Sequence, residues 1–351
     1  MPRSTVIKGL FIVSCLVFVT ALIYQVDFYE HAPRRVVSFA IFMTIFSLAI
    51  IRFTREMTMA AMTALIAISL YYSLAALNAT REHGLMDPGS LKDLVGTQRI
   101  GFLYLFAISL CLVFFFENKQ KFQRLTLLAV IAILLSGLVL TFSRASYVAI
   151  FSGVVFAYCY YLLFRKIGFS GGINIAISVL VICLIIFALF KIYPEFFLFL
   201  DQRLFNLFRS GELAERLNGT VETSESVRLA ILKLIANFVL QNPFTGSGFL
   251  GAWVLSDWSG SAHNEFTDRL LRLGFLGFAL YILLIWKIFG FLLKLHPIFG
   301  AGFFSILVYG MFHETFSQSQ AAVLLSILIS LCFNPMRNAH LYAPHSSTFM
   351  N

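Results

Sequence analysis

Long apolar stretches separated by short polar loops dominate the hydrophobic pattern of this 351-residue chain. Ten of them come close to the roughly 17–25 residues that an α-helix needs to cross a bilayer. They cover residues 7–24, 36–51, 57–77, 100–116, 125–141, 146–164, 173–190, 273–293, 297–312 and 321–333. The pattern therefore predicts an all-α, polytopic membrane protein with about ten transmembrane helices.

One long polar interval, residues 191–263, interrupts this pattern and is expected to form a cap outside the membrane. An amphipathic helix is predicted over residues 226–239, because apolar residues recur there at helical spacing: Ile231, Leu234, Ile235 and Phe238. Such a helix should lie on the bilayer or on the outer ends of the membrane helices. We expect helices 1–7 in residues 1–190, the cap in 191–263, helices 8–10 in 264–336, and a disordered cytoplasmic tail in 337–351.

Composition excludes a soluble globular protein. Hydrophobic residues make up 59% of the chain, charged residues only 12%, and the mean hydropathy is +0.86, whereas soluble chains carry roughly twice that charge. The five cysteines lie in apolar runs without metal-type spacing, so neither a disulfide framework nor a metal site is expected. Basic residues of membrane proteins gather in cytoplasmic loops, and this explains most of the net charge of +9. Nucleic acid is therefore not an expected partner.

Basic residues fix the expected orientation of the chain in the membrane. With the N-terminus inside, the inside loops and ends hold Arg3, Lys8, Arg52, Arg55, Lys119, Lys121, Arg124, Arg165, Lys166, Lys287, Lys294 and Arg337. The outside loops hold fewer basic residues and include acidic neighbours. Because cytoplasmic loops are enriched in Lys and Arg, both termini are predicted to be cytoplasmic. The cap, Arg144 and the His313-Glu314 turn then share the outer face.

Arg144 lies in a short turn between two predicted spans. Ser143 can cap the helix that follows, which would place exposed helix-start amides beside the Arg144 guanidinium. A helix N-terminus next to an arginine can bind an anion such as phosphate. The alternative is an interfacial arginine whose side chain reaches the lipid head groups.

Two further candidates lie in the cap. Arg228 opens the predicted amphipathic helix, where a solvated or lipid-facing arginine is the alternative interpretation. His263 comes before Asn264 and a long helix, and a neutral histidine there can act as a general base near neutral pH. A lone histidine at an interface is more often structural, and this is the alternative interpretation. Glu314, in the His313-Glu314 turn, is a possible supporting residue.

Several signatures of other chemistry are missing from the sequence. The outside loops contain no Asp-x-Asp pair, and the chain has no P-loop, dinucleotide fingerprint or serine nucleophile elbow. Phosphate binding, if it occurs, must therefore rely on arginines rather than on a divalent cation, and no cofactor is expected.

Three motifs in order resemble the superfamily of O-antigen ligases and Wzy-type polymerases. They are Phe142-Ser143-Arg144, then Arg228 ahead of the turn Asn242-Pro243-Phe244-Thr245-Gly246-Ser247-Gly248, then His263-Asn264 before Leu273-Gly274-Phe275-Leu276-Gly277. The resemblance covers residues 125–293. The chain departs from the family in two respects: it has ten apparent spans where the ligases have about twelve, and Ala145 where a glycine is usual.

The resemblance implies a membrane glycosyltransferase of the bacterial inner membrane with one large periplasmic loop. Such an enzyme transfers a glycan from undecaprenyl diphosphate to an acceptor sugar, without a metal and with inversion. Arg144 and Arg228 would bind the diphosphate and stabilise charge on the leaving group. His263 would accept the proton of the attacking hydroxyl, with Ser143, Asn264 and Glu314 in support.

Two reactions and one other class of protein remain open at this point. A ligase would use lipid A–core as the acceptor, and a polymerase would use a lipid-linked repeat unit. The nearly balanced charge of the cap favours a polymerase, while the resemblance fits a ligase equally well, and a ligase is the reaction predicted here. A transporter of lipid-linked glycans would show polar or broken helices at mid-span depth, and these spans are almost purely apolar.

Overall fold

A computed structural model describes residues 55–83, 100–141, 143–164, 224–255, 264–316 and 319–333. In these residues the protein is all-α, with eight α-helices and one 3₁₀ helix. The helices are α1 (Arg55–His83), α2 (Gly101–Glu117), α3 (Lys121–Leu140), α4 (Arg144–Phe164), α5 (Ser224–Gln241), the 3₁₀ helix (Gly248–Val254), α6 (Glu265–Leu295), α7 (Pro297–Gly310) and α8 (Ser319–Phe333).

Helices occupy every predicted span that falls on the described residues. Three of them, 56–82, 121–140 and 265–295, are long and apolar enough to cross a membrane, and four of the shorter apolar helices cover the other predicted spans in this part. The spans predicted at 7–24, 36–51 and 173–190 lie outside the described residues, as do most of the cap and the tail. The total of ten spans and the periplasmic loop therefore remain predictions.

Helix α2 lies at the centre of the bundle. Twelve of its residues are buried, including Phe102, Tyr104 and Leu110 at 0% exposure. It packs against α1, α3, α4 and α7. A helix that is apolar on all sides is stable when protein or lipid surrounds it, and here other helices cover most of α2. This is why the run at 100–116 shows no amphipathic pattern.

Pairs of glycine and serine bring the bundle helices close together. A Cβ on Gly153 of α4 would overlap Ser305 of α7, and one on Gly302 of α7 would overlap Ser109 of α2. Gly137 of α3 meets Ser73 of α1 in the same way. Small residues of this kind allow close backbone approach in membrane helix packing. Each serine hydroxyl of the first two pairs donates to a carbonyl of its own helix, so its polarity is satisfied.

A second hydrophobic cluster forms beside the bundle. Buried side chains of α5, the 3₁₀ helix and the beginning of α6 compose it: Ile231, Ile235, Val239, Ala252, Leu255 and Leu271. The predicted amphipathic helix is thus present as α5. The part of its apolar face that carries Ile231 and Ile235 packs on the 3₁₀ helix and on the first part of α6.

Candidate functional site at one end of the bundle

Ser143 caps α4 at the position where the sequence predicted a cap. The backbone amide of Ser146 donates to Ser143 Oγ (3.4 Å) and to Ser143 O (3.0 Å), and the amide of Tyr147 donates to Ser143 O (3.3 Å). The sequence predicted exposed amides at this helix start. For Ser146 and Tyr147 this prediction is wrong, because both amides are bonded to Ser143. Ser143, Ala145 and Ser146 are all at most 6% exposed, because α2 and α7 cover the helix start.

Arg144 is the first residue of α4, and its side chain lies outside the described part of the structure. The neighbours of the helix start are described. A Cβ on Gly101, at the start of α2, would lie 2.5 Å from Ser146 Oγ and 2.7 Å from the Tyr309 ring at the end of α7. The Tyr309 ring in turn contacts the His313 ring in a tilted arrangement, with 4.6 Å between ring centroids. The His313-Glu314 turn therefore lies next to the turn that carries Arg144.

Asn264 joins the start of α6 to the same turn. Its Oδ1 accepts hydrogen bonds from the amides of Phe266 (2.9 Å) and Thr267 (3.2 Å), which is N-cap geometry. Its Nδ2 donates to the carbonyl of Met311 (2.9 Å). His263, the predicted base, immediately precedes this cap and lies outside the described residues. Asn264 itself therefore lies beside Met311.

Glu265 makes a second link to this turn. The side chain is 1% exposed. Its Oε1 accepts from Arg269 Nε (2.6 Å) and from the Tyr281 hydroxyl (3.0 Å), and its Oε2 accepts from the amide of Phe316 (2.9 Å). The Arg269 guanidinium also lies 5.8 Å from the centre of the Tyr281 ring. A buried carboxylate is stable only when it is bonded in this way.

A break at Gly274 makes the bond between Glu265 and Tyr281 possible. In a straight helix, residues 16 positions apart would lie about 24 Å apart along the axis. Gly274 has φ 62° and ψ −175°, a conformation that only glycine adopts readily. The chain turns back there, so that residues 265–273 fold against the membrane helix that begins at Phe275.

The turn 242–248 docks on this break through backbone hydrogen bonds. The amide of Ser247 donates to Leu271 O (2.7 Å), and the amide of Phe275 donates to Pro243 O (2.7 Å). Gly246, with φ 60°, has no room for a Cβ, which would lie 2.6 Å from Arg272 O and from Gly274 N. Two of the three motifs that resemble the O-antigen ligases are therefore in direct contact.

Both of these motifs lie in a part of the chain that matches a known family. Residues 129–282 match the family model described as O-antigen ligase. This part of the chain, less than half of its length, is similar to the O-antigen ligase superfamily. The match includes the positions of Arg144, Arg228 and His263 and both docked motifs of the superfamily. No curated protein matches the chain.

The structure brings some of the predicted site residues together at one end of the bundle, and the side chains of others lie outside its described part. Ser143, the backbone of Arg144, Asn264 and the turn with Glu314 lie together there. Arg228 is in α5 and is linked to this end through the packing of α5 on α6; its side chain lies outside the described part. The starts of α2 and α4 and the end of α7 meet here, as the predicted alternation of helix directions requires.

Sequence reasoning missed Glu265, Arg269 and Tyr281. Glu265 and Arg269 show the i, i+4 spacing of a helical ion pair, the same signal that marks Asp268 and Arg272 four residues apart in the same helix. That signal could have found the pair. Tyr281 could not be found in this way, because its contact depends on the backbone at Gly274.

An open cavity of about 720 Å³ lies at the other end of the bundle. Residues at the end of α2 and the start of α3 line it, among them Glu117 and Lys119. Since α2 starts at the candidate site and is 17 residues long, its two ends are about 25 Å apart. The cavity is thus separate from the candidate site. In the described residues no group of three His, Cys, Asp or Glu side chains could hold a metal ion.

Proposed function

We propose that this protein is a membrane glycosyltransferase of the O-antigen ligase type. It transfers a glycan from undecaprenyl diphosphate to an acceptor sugar of lipid A–core at the periplasmic face of the bacterial inner membrane. The observation that carries this proposal is the family match over residues 129–282, which contains all three predicted site residues. The contact between the turn 242–248 and the break at Gly274 supports it.

The proposed reaction is a direct displacement. The acceptor hydroxyl oxygen attacks the anomeric carbon, a new carbon–oxygen bond forms, and the bond to the diphosphate oxygen breaks with its electron pair. His263 accepts the proton of the hydroxyl. Attack from the face opposite the leaving group inverts the anomeric centre, and the step uses no metal ion.

Arg144 and Arg228 are proposed to hold the diphosphate and to stabilise the negative charge that develops on it. Arg144 suits this role because it opens α4, whose partial positive charge favours an anion nearby. The amides of Ser146 and Tyr147 already bond to Ser143, so the guanidinium rather than these amides must provide the main contact. Ser143 and Asn264 support the site by capping α4 and α6.

A polymerase that joins repeat units on the lipid carrier is the second candidate. The cap holds six basic and seven acidic residues: Lys191, Arg203, Arg209, Arg216, Arg228, Lys233, Glu195, Asp201, Glu212, Glu215, Glu222, Glu225 and Asp257. A phosphate-rich lipid A–core acceptor would favour a basic cap, so this balance favours a lipid-linked acceptor. A transporter of lipid-linked glycans is the third and weakest candidate.

Surface polysaccharide from a deletion strain, separated on a gel, tests these assignments. Loss of all long glycan from lipid A–core is expected for a ligase, and a core that carries a single repeat unit would identify a polymerase.

Complementation of the deletion strain with Arg144→Ala, Arg228→Ala or His263→Ala should fail to restore the glycan at normal protein level. Arg124→Ala, at the other end of the bundle, and Lys233→Ala, elsewhere on α5, serve as controls that should restore the glycan. Unchanged glycan in the deletion strain would contradict both enzyme assignments.

A further inference from the structure

Helix α5 has three distinct faces. The first carries Ile231, Ile235 and Val239 and is buried in the second hydrophobic cluster, between α5, the 3₁₀ helix and the start of α6. The second is exposed and apolar, with Leu232, Ala236 and Leu240. The third is exposed and polar, with Lys233, Asn237 and Gln241. Because each set recurs every four residues, each forms a stripe along the helix.

The apolar stripe is too exposed for a helix surrounded by water. Leu232 is 41% exposed and Leu240 is 70% exposed. Phe244, in the turn that follows the helix, is also apolar and is 76% exposed. A contiguous apolar surface bordered by polar residues marks a contact with lipid or with another protein.

The position of the turn identifies which contact this is. Pro243 O accepts a hydrogen bond from the amide of Phe275, the first residue of the membrane helix after Gly274. A Cβ on Gly274 would lie 2.8 Å from the backbone carbon of Phe244. The backbone of Phe244 is thus held at the level where α6 begins its apolar run.

That membrane helix has an exposed apolar surface of its own. Its exposed apolar side chains are Phe275, Leu276, Leu280, Ile282, Leu283 and Trp286. On a helix long and apolar enough to span a bilayer, such side chains face acyl chains. The stripe of α5 therefore meets a lipid-facing surface at its Phe244 end.

We infer that α5 lies along the membrane surface, with Leu232, Ala236, Leu240 and Phe244 in contact with the acyl chains of the leaflet that α6 enters at Phe275. The second hydrophobic cluster covers the first face of α5, and lipid covers the second. On the third face, Lys233, Asn237 and Gln241 contact water or head groups. An interfacial helix has this division into apolar and polar faces. The inference concerns lipid contact and does not depend on the proposed reaction.

Photo-crosslinking of the full chain in vesicles of phosphatidylethanolamine and phosphatidylglycerol tests it. A benzophenone amino acid replaces Leu240, Phe244 or Ala236 in separate samples, and Asn237 in the matched control on the polar face. Trp286, on the membrane helix, is the positive control. After irradiation, mass spectrometry identifies what each position has bonded to.

We expect phospholipid adducts at positions 236, 240 and 244 at a level close to that at 286, and at least several-fold above that at 237. Equal yields at 237 and 240 would overturn the inference. Adducts that join position 240 to a second copy of the chain, or to residues 165–223 of the same chain, would also overturn it. If the probe at 240 lowers the yield of folded protein, positions 236 and 244 decide the result.

Discussion

The Glu265 carboxylate accepts a hydrogen bond from the backbone amide of Phe316, 51 residues later in the chain (2.9 Å). The same carboxylate pairs with Arg269 and accepts from the Tyr281 hydroxyl. Through these bonds one buried side chain joins the start of α6, its membrane helix and the turn after α7. His263, the proposed base, lies two residues before Glu265 in the sequence.

Glu265→Gln is expected to lower both stability and glycan transfer. Removing one partner of a buried ion pair leaves the other charge uncompensated and costs about 3 kcal/mol. Displacement of a catalytic group by about 1 Å can cost on the order of 100-fold in rate. Thermal unfolding of the purified protein and the amount of surface glycan per unit of protein measure the two effects.

Asp268→Asn is the matched control for this change. Asp268 is also 1% exposed and also pairs with an arginine four residues later, Arg272. Its partner packs against Gly251 of the 3₁₀ helix instead of the turn after α7. The two variants should lose similar stability, while Glu265→Gln should lose much more transfer. Equal transfer in the two would show that Glu265 has a structural role alone.

Helices and caps were predictable from the sequence, because they depend on local patterns. Apolar length predicted α1 to α4 and α6 to α8, and residue type predicted that Ser143 caps α4. The return of the chain at Gly274 was not predictable, since a glycine before a membrane helix is compatible with a straight helix. The bond between Tyr281 and Glu265 depends on that return, so it could not be inferred from spacing.

Gly274→Ala is expected to disrupt the docking of the turn 242–248. A side chain at φ 62° is strained by about 1–3 kcal/mol, and a Cβ there would lie 2.7 Å from Pro243 O. Gly290→Ala, in the same helix, is the control, because no atom lies within 4 Å of its added Cβ. We expect a lower unfolding temperature and loss of transfer for the first variant and neither for the second. Normal stability of Gly274→Ala would contradict the positive φ.

Asn264 combines two roles that substitutions can separate. Asn264→Asp keeps an acceptor for the amides of Phe266 and Thr267 but removes the donor to Met311 O. Asn264→Ala removes both and should lose about 1 kcal/mol more through the missing cap. If the tether to Met311 positions His263, transfer falls in both variants, while unfolding temperature falls more in Asn264→Ala. Full transfer by Asn264→Asp would show that the tether is dispensable.

The glycine and serine pairs predict which double variants recover stability. The Cβ added by Gly153→Ala overlaps Ser305 Oγ, and Ser305→Ala removes that atom. The added Cβ then lies 3.3 Å from Cβ of residue 305 and 3.1 Å from Ala301 O, which a small shift accommodates. Gly302→Ala with Ser109→Ala still leaves Ser109 Cβ at 2.5 Å. Each single glycine variant should lose about 1–3 kcal/mol through overpacking. Thermal unfolding should show recovery for the pair 153/305 and none for 302/109, and equal recovery in both would contradict the packing described here.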